Sequence, residues 1–246
     1  MQLTDCHVHV SLYPGPDEIC EAAYAHGISL IGVSCSLDDS VRNLEFAKAQ
    51  GYKAMIGIHP WMAENREFPE DKFERLLSIY QVSGFGECGL DTESPSLNIG
   101  DQVHLLSGEI EFACRHALPL NLHVHKAHDE MIRLLRRYRS QGISGAVHNF
   151  TFSKELARDY LDCGMYLSVG RYLLKKSSRL VSSLQFAGPD RIILESDYDH
   201  VHSGPYDPEL IIKLAEVYAE IFDLSFEAAC IKLKANVNHF LKGVNS

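Results

Sequence analysis

Short apolar runs alternate with amphipathic segments along the whole chain, and this alternation repeats eight times. Apolar runs of about four to eight residues are typical of buried strands, whereas apolar positions three or four apart are typical of helices. Proline and glycine separate the segments, as in the loop Ser11-Leu-Tyr-Pro-Gly-Pro16 and at Gly51, which ends a helix pattern. The pattern predicts strands at residues 3–10, 29–35, 52–59, 83–90, 119–125, 144–150, 165–170 and 191–197.

The intervening segments predict a helix after each strand and one further helix at the end of the chain. Eight strands that alternate with helices are typical of a (β/α)8 TIM barrel, an α/β fold. An open doubly wound sheet is the alternative, but the count of eight and the lack of a Gly-rich loop after the first strand favour the barrel. Because no linker interrupts the pattern, residues 1–246 are expected to form a single domain. The predicted helices are 16–26, 38–50, 70–81, 100–116, 128–141, 153–163, 175–187, 207–222 and 225–242.

Composition narrows the classes of protein to consider. The 246 residues are 46% hydrophobic and 23% charged, with a net charge of −10, which argues against a protein that coats nucleic acid. A nuclease remains compatible, since metal ions and a local basic patch can neutralise phosphate. No apolar run is long enough for a membrane span, and no secretory signal is recognisable. Seven cysteines without a C-x-x-C pair indicate reduced thiols, so a cytoplasmic protein is expected. A monomer is the default, since no large exposed apolar pattern is identifiable.

The first strand carries the motif Asp5-Cys6-His7-Val8-His9. Side chains alternate along a strand, so His7 and His9 should share a face, about 7 Å apart. Imidazole pairs of this kind suit Zn, Ni, Mn or Fe. The alternative is a polar strand face that carries two histidines without a metal.

Further titratable residues fall at the predicted carboxyl ends of the strands, where a barrel has its active site. Converging His, Glu and Asp side chains make a ligand set for two divalent ions, and the two oxygens of Glu87 allow it to bridge them. Two such ions stabilise the attacking and leaving oxygens of a hydrolytic displacement and provide a bridging hydroxide as nucleophile. Asp197 can bind one ion and accept the proton of the nucleophile. The residues so placed are His7, His9, His59, Glu87, His123, His125, His148 and Asp197.

Several motifs, in this order, resemble the signatures of TatD-like metal-dependent deoxyribonucleases, which are amidohydrolase-type barrels. The resemblance implies one metal at His7, His9, Glu87 and Asp197, and a second at Glu87, His123 and His148, with Zn, Mg or Mn as the ions. It also implies phosphodiester hydrolysis on DNA, commonly from a 3′ end of single strands. The motifs are Asp5-x-His7-x-His9, Gly57-Ile-His-Pro60, Gly86-Glu-Cys-Gly-Leu-Asp91, Leu122-His123, His148-x-Phe150 and Glu195-Ser-Asp197.

The chain departs from the family pattern around the expected substrate. His125 and Lys126 stand where the family usually has Arg, and Phe152 replaces a glycine. The usual proline after the last motif is absent, and Asp197-Tyr-Asp-His200 stands there. Hydrolysis is therefore predicted more firmly than DNA as the substrate.

Other residues at this end of the barrel have candidate roles in binding or support. Asp91 and Asp5 are expected to hold ligands in place, with Asp5 accepting a hydrogen bond from a histidine ring. Trp61 and Tyr198 are candidates for stacking on a base, although packing of loops explains them equally well. Contacts to phosphate are predicted for His59, His125, Lys126 and Arg171.

Two further possibilities remain open from the sequence. Leu12-Tyr13-Pro14 and the compact length resemble TatD-like members of the Qat anti-phage defence systems, which implies protein partners. The alternatives to a nuclease are a related barrel hydrolase acting on a small amide, lactone or phosphoester, and a metal-binding subunit of a larger complex.

Overall fold

Eight parallel strands form the sheet in a computed structural model of the chain, and it describes residues 2–13, 15–198 and 205–242. Each strand pairs with the next in sequence order, as a (β/α)8 barrel requires. The predicted fold class is therefore confirmed, and the open doubly wound sheet is excluded by the strand order. The strands are β1 (Leu3–Val8), β2 (Ile28–Gly32), β3 (Lys53–Ile56), β4 (Gly84–Asp91), β5 (Leu120–His125), β6 (Gly145–Val147), β7 (Met165–Val169) and β8 (Ile192–Leu194).

Helices cover the outside of the sheet, and their ends carry the expected signals. Ser36 accepts a hydrogen bond from the Asp39 N–H at the start of the second helix, and Gly51 ends that helix in the left-handed region at φ 81°. Asn98 begins the fourth helix in the same way by accepting from the Asp101 N–H. The helices are α1 (Pro16–Ala25), α2 (Leu37–Gln50), α3 (Glu70–Ile79), α4 (Ile99–Arg115), α5 (His128–Tyr138), α6 (Lys154–Asp162), α7 (Ser178–Ala187), α8 (Glu209–Ile221) and α9 (Phe226–Lys242).

Five strands end two or three residues earlier than the sequence predicts: β1, β2, β3, β6 and β8. The apolar pattern misleads here because Val10, Ile58 and Phe150 are buried although they lie beyond the strand ends. These residues continue the core while the backbone turns out of the sheet. As a result, His9, His59, His148 and Asp197 are on the loops that leave the strands, and not on the strands themselves.

The barrel closes between its first and last strands through loop backbone. The Asp197 N–H donates to the His7 carbonyl at 3.1 Å, and the His9 N–H donates to the Tyr198 carbonyl at 3.0 Å. Closure thus depends on the same short segments that carry the predicted site. At the opposite end, the Asn236 side chain in α9 donates to the carbonyls of Pro189 and Ile192 and anchors that helix beside β8.

The described cysteines are all free thiols, in agreement with the predicted lack of disulfides. Among the described helices, none has both the length and the apolar character needed to cross a membrane.

Candidate metal centre

The predicted site residues converge at the carboxyl ends of the strands. Glu87 lies at the centre, only 3% exposed, with imidazoles on both sides of its carboxylate. Its Oε2 atom is 3.5 Å from His7 Nε2 and 3.6 Å from His9 Nε2. Its Oε1 atom is 3.0 Å from both His123 Nδ1 and His148 Nε2. Each carboxylate oxygen therefore has a different pair of histidines beside it, with His59 Nε2 as a further neighbour of Oε1 at 3.6 Å, and this arrangement suits a bridging ligand.

Close packing of β4 against its neighbours brings Glu87 to this central place. Gly89 has φ +155°, and a Cβ atom there would be 1.9 Å from the carbonyl oxygen of His123. Only glycine permits this approach of the two backbones. At the other neighbour, a Cβ on Gly57 would be 2.8 Å from the Glu87 carbonyl oxygen. The glycines of the two sequence motifs thus allow β3, β4 and β5 to place Glu87 between the histidines.

His7 and His9 meet more closely than strand alternation predicts. Their Nε2 atoms are 3.4 Å apart, because β1 shifts register between Asp5 and Val8 and because His9 has already left the strand. Both rings are buried, so there is little water between the two nitrogens to solvate a charge. Two imidazole nitrogens at this distance are a suitable pair of ligands for one ion.

The hydrogen bonds of the outer ring nitrogens define which nitrogen of each histidine carries a proton. Asn121 donates from Nδ2 to the Cys6 carbonyl at 3.4 Å, so its Oδ1 is the atom that accepts from His7 Nδ1–H at 2.9 Å. This bond leaves His7 Nε2 with a free lone pair toward Glu87. Likewise, the contact of 3.1 Å between His123 Nε2 and Asp91 Oδ2 puts the proton on Nε2 and frees Nδ1.

His148 lies on the far side of the site, with Nε2 toward Glu87 and Nδ1 toward a second carboxylate. Its Nδ1 faces Glu195 Oε1 at 3.6 Å, while Glu195 also accepts hydrogen bonds from the Asn149 N–H and the Ser168 hydroxyl. Burial acts to lower the pKa of His148, but the carboxylates of Glu87 and Glu195 outweigh it and raise the pKa well above its usual range. The negative charges around this ring therefore favour a cation at this place.

The pKa of Glu87 is shifted in the direction opposite to that of His148. Burial acts to raise the pKa of its carboxyl group, but the imidazoles of His59, His148 and His7 outweigh that and hold the pKa well below its usual range. Glu87 is consequently ionised and available as a ligand.

Asp197 reaches the site from an unusual backbone conformation. It has φ +52°, in the left-handed region, which Asp and Asn adopt more readily than most residues. Its Oδ1 is 3.8 Å from His7 Nε2, and its Oδ2 accepts from Asn149 Nδ2 at 3.3 Å. Asn149 itself has φ +49°. The two strained loops thus hold the carboxylate beside His7, with about a third of the Asp197 side chain open to solvent.

In His59, unlike in His7 and His123, the ring nitrogen that faces the site carries the proton. The Trp61 N–H donates to His59 Nδ1 at 3.1 Å, so the proton of the neutral ring is on Nε2. Burial lowers the pKa of His59 to about 3, which keeps the ring neutral. Its Nε2–H is 3.6 Å from Glu87 Oε1 and points into the site as a donor.

The donor set of the site suits divalent ions. Within residues 2–13, 15–198 and 205–242, three groups have ligand atoms within 4.8 Å of one another, and every group contains an imidazole and a carboxylate. Imidazole and carboxylate together suit Zn, Mn and related ions. The lone pairs of His7 and His123 point inward, and His148 Nε2 also faces the site beside Glu87, so the residues fit metal ions. The third group is a weaker candidate because His59 carries its proton on the inward atom. The groups are His7, His148 and Asp197; His7, His9 and Glu87; and His59, Glu87 and His123.

Three residues predicted to contact substrate lie at the rim. His125 Nε2 is 3.0 Å from Glu93 Oε2, and Lys126 forms an ion pair with the same carboxylate. Arg171 is exposed at the beginning of the loop after β7. His125 and Lys126 are thus both paired with Glu93, just beyond the ends of β4 and β5.

The predicted contact of Asp5 with a histidine ring is wrong, and of the two alternatives for Tyr198 the structure favours packing. Asp5 accepts from the Ser196 N–H at 2.8 Å and from the Tyr206 hydroxyl at 3.0 Å, not from a histidine ring, because β1 changes register after it. Burial raises the pKa of Asp5 to about 7. Tyr198 is only 3% exposed and packs edge-on against Tyr206, so it has no free face for a base.

The structure shows the surroundings of Phe152 and Tyr13, two other residues singled out in the sequence. Phe152 packs edge-on against His128, with ring centroids 4.1 Å apart, so its ring is held by α5. Tyr13 packs against Tyr198. Pro14, Asp199 and His200 lie outside the described residues.

Sequence reasoning missed two residues that support the site, Asn121 and Glu195. Asn121 lies two positions before His123 on β5 and is fully buried, as is Glu195 beyond β8. A polar residue in a predicted buried strand was the available signal for Asn121. For Glu195, the signal was a carboxylate two residues before Asp197 in the last motif.

Comparison with known proteins places this chain in a family. Residues 4–242 match the family model described as TatD related DNase. A 3′-5′ ssDNA/RNA exonuclease TatD of Cronobacter turicensis is 30% identical over 186 residues, which cover 74% of this chain and 71% of the relative. The metal-dependent hydrolase YabD of Bacillus subtilis, whose function is uncharacterised, is 25% identical over 234 residues and covers 91% of this chain and 92% of its own.

Among solved structures, the TatD homologue YJJV of Escherichia coli is similar with a TM-score of 0.85 and 22% identity, covering 98% of this chain and 97% of that one. An amidohydrolase of Saccharomyces cerevisiae has a TM-score of 0.76 and 12% identity, with coverage of 97% and 99%. These two likenesses concern the barrel fold. From the match over residues 4–242, the chain belongs to the TatD related DNase family and is a metal-dependent hydrolase of the TatD type.

Proposed function

We propose that this protein hydrolyses phosphodiester bonds in single-stranded DNA, from the 3′ end, with two divalent ions bridged by Glu87. The observation that carries the proposal is the geometry of Glu87, whose two oxygens face separate histidine pairs. A carboxylate that bridges two ions is a recurrent feature of two-metal hydrolytic sites. The relatives named as 3′-5′ ssDNA/RNA exonucleases support single strands as the substrate.

Six residues would hold the ions in this proposal. His7, His9 and Asp197 surround the Oε2 side of Glu87, and His123 and His148 surround the Oε1 side. When bound, the ions supply Lewis-acid stabilisation of the phosphate and lower the pKa of water to near neutrality. Zn, Mg and Mn all agree with the donor set of imidazoles and carboxylates.

Asp197 is the proposed general base. Its Oδ1 faces the cluster, whereas its Oδ2 accepts from Asn149 Nδ2 and is thereby fixed in orientation. Part of the side chain is open to solvent, so a water molecule can reach it. We assign Asp197 Oδ1 to accept a proton of the attacking water as its oxygen bonds to phosphorus and the bond from phosphorus to the leaving sugar oxygen breaks. The proton on Asp197 is then available to the leaving oxygen, which departs as a hydroxyl group.

His59 is the proposed donor to the substrate phosphate. Its protonated Nε2 points into the site, and the neutral ring offers a hydrogen bond without adding a positive charge to repel the ions. The ring is held in this orientation by the backbone N–H of Trp61. A phosphate oxygen bound beside Glu87 would therefore receive a hydrogen bond from His59 Nε2–H.

A basic segment near the site offers a path for the rest of the strand. The net charge of the protein is −10, yet no Asp or Glu occurs between Asp162 and Asp190. Lys175 lies over the ring of the half-exposed Tyr172, with Nζ 4.9 Å from the centroid. Positive side chains next to an exposed aromatic ring are typical of surfaces that bind single strands. The cations of this segment are Arg171, Lys175, Lys176 and Arg179.

Cleavage of end-labelled DNA tests the proposal. Oligonucleotides labelled at the 3′ or the 5′ end, single- or double-stranded, are incubated with Mg, with Mn or with EDTA, beside a lactone and a generic phosphodiester. Metal-dependent shortening of single strands from the 3′ end, lost in Glu87→Ala, is the expected result. Hydrolysis of the small ester alone, or no hydrolysis by metal-loaded protein, would contradict the proposal.

A further inference from the structure

The loop after β3 carries the only tryptophan of the chain, Trp61, in an exposed position beside the proposed metal centre. The residue is 51% exposed, so burial in the core does not explain this large apolar side chain. The neighbouring Met62 is 54% exposed and extends the same apolar surface. A wide exposed ring at this place requires a different explanation from packing.

The indole ring is held in place at its edge, which leaves its face free. Trp61 Nε1–H donates to Asp91 Oδ2 at 2.7 Å. The same carboxylate oxygen is 3.1 Å from His123 Nε2, and the His59 ring lies 6.1 Å from the indole ring at an angle of 73°. One carboxylate oxygen therefore joins the indole to a proposed metal ligand and sets the distance between them.

The backbone around Trp61 is fixed as well. The Trp61 N–H donates to His59 Nδ1, and its carbonyl accepts from Ser96 Oγ at 2.6 Å. One residue earlier, the Pro60 carbonyl accepts from Ser94 Oγ at 2.8 Å. Two hydrogen bonds from the loop after β4 thus hold the loop after β3 around the indole. Because this loop is already ordered, ligand binding costs little conformational entropy here.

We infer that Trp61 is a stacking platform for a nucleobase that flanks the scissile phosphate and that it selects single-stranded or frayed substrate. This inference depends on the proposed function. A flat, preoriented ring offers every base a stacking surface, independent of its hydrogen-bonding edge. In a duplex both faces of a base are covered by its neighbours, so only an unpaired or terminal base has a face to offer to Trp61.

Trp61 is placed so that it can affect substrate binding without affecting metal binding. Its side chain touches Asp91 and contributes no ligand atom to the central cluster. Phenylalanine at this place keeps a stacking face and loses only the hydrogen bond to Asp91, whereas alanine loses both. The pair of variants therefore separates stacking from the support of His123.

Binding is measured in protein that turns over slowly, the Asp197→Asn variant loaded with Mg, in which asparagine keeps a side-chain oxygen for the ion and the metal content is checked by elemental analysis. One probe is a labelled thymidine hexamer followed by anisotropy, and the second is the same hexamer with every base replaced by an abasic sugar. Emission of the single tryptophan is followed with the unlabelled forms of both. Tyr24→Ala is the control, since Tyr24 is a 41% exposed aromatic residue at the end of α1, away from the site.

We expect the thymidine hexamer to change the emission of Trp61 over the same concentration range in which anisotropy reports binding, and the abasic hexamer to bind more weakly without that change. Trp61→Ala should weaken binding of the thymidine hexamer about tenfold and leave the abasic one unaffected. Trp61→Phe should recover most of the loss, and Tyr24→Ala should have no effect. The inference alone would be overturned if the thymidine hexamer bound tightly without changing the emission and bound equally well to Trp61→Ala. If the protein with Trp61 unchanged bound neither hexamer, the proposed function would be overturned too.

Discussion

The Nδ1–H of His7 donates to the side-chain oxygen of Asn121 at 2.9 Å, across 114 positions of the chain. Both residues are completely buried. The bond fixes the tautomer of His7, because Asn121 uses its amide nitrogen to donate to the Cys6 carbonyl and has only its oxygen for the ring. The inward nitrogen of His7 is therefore ready to bind a metal before any ion arrives.

Replacing Asn121 should weaken metal binding without removing a ligand. In Asn121→Leu the His7 ring loses the acceptor that fixes its tautomer and orientation, so we expect metal affinity to fall about 10- to 100-fold. Isothermal titration of metal-free protein with Zn or Mn measures this directly. Asn236→Leu is the matched control, since Asn236 is also buried and its amide donates to the carbonyls of Pro189 and Ile192 at the opposite end of the barrel. Equal metal affinity in the two variants would show that Asn121 has no such role.

Asp197→Asn should abolish most of the turnover while it preserves the fold. Asparagine adopts the left-handed conformation at φ +52° as readily as aspartate, whereas alanine would add backbone strain. The variant loses the proton acceptor, so we expect kcat to fall about a thousandfold or more. Single-turnover cleavage of labelled DNA measures the loss, and a thermal melt checks that the fold is kept. Turnover near that of the unmodified protein would rule out Asp197 as the base.

The sequence predicted the residues of the site better than their surroundings. The histidines, Glu87 and Asp197 stand at the ends of predicted strands, and a parallel barrel brings all those ends together, so their meeting followed from topology alone. The residues that contact the outer ring nitrogens of these histidines could not be predicted in this way. Asn121 lies beside His7, and Glu195 beside His148, only because of the detailed register of the barrel strands.

Exposure was equally hard to predict. Trp61 and Tyr198 are both aromatic residues that follow a strand, yet Trp61 is 51% exposed and Tyr198 only 3%. Tyr198 is covered by Tyr206, which lies eight positions further along the chain, and by Tyr13 from the loop after β1. The hydrophobic pattern around an aromatic residue does not show which side chains will pack over its ring. Only the structure therefore distinguishes Trp61, the candidate stacking residue, from the packed Tyr198.

His59→Ala should reduce catalysis but leave the metal content as it is. The proton on His59 Nε2 makes this ring a donor and not a ligand, so the ions keep their ligands when it is removed. A hydrogen bond to a charged phosphate contributes about 1.5–3 kcal/mol, so kcat/KM should fall about 10- to 100-fold. His123→Ala is the comparison, because it removes an inward lone pair and should lose metal. Elemental analysis decides: a loss of metal in His59→Ala would instead place His59 among the ligands, in the group with Glu87 and His123.

A buried carboxyl group in α4 should make the stability of the protein depend on pH. Glu109 is 1% exposed and accepts a hydrogen bond from the Ile58 N–H at 3.0 Å. Burial raises the pKa of Glu109 well above its ordinary value. Between the unfolded pKa, about 4.3, and the raised folded pKa, the folded state binds more protons than the unfolded state. The contribution of Glu109 to the free energy of unfolding therefore falls as pH rises through this window, by at most about 1.4 kcal/mol per pH unit.

Glu109→Gln removes this dependence, because glutamine keeps an oxygen for the Ile58 N–H and does not ionise. Urea unfolding at a series of pH values from about 5 to 8 should show the variant gaining stability over the unmodified protein as pH rises. Glu111→Gln, on the exposed side of the same helix, controls for the loss of one carboxylate. Parallel stability curves for Glu109→Gln and the unmodified protein would mean that Glu109 does not bind its proton across this range. The buried group would then be ionised in the folded protein, and its charge would have to be stabilised by more than the single backbone N–H of Ile58.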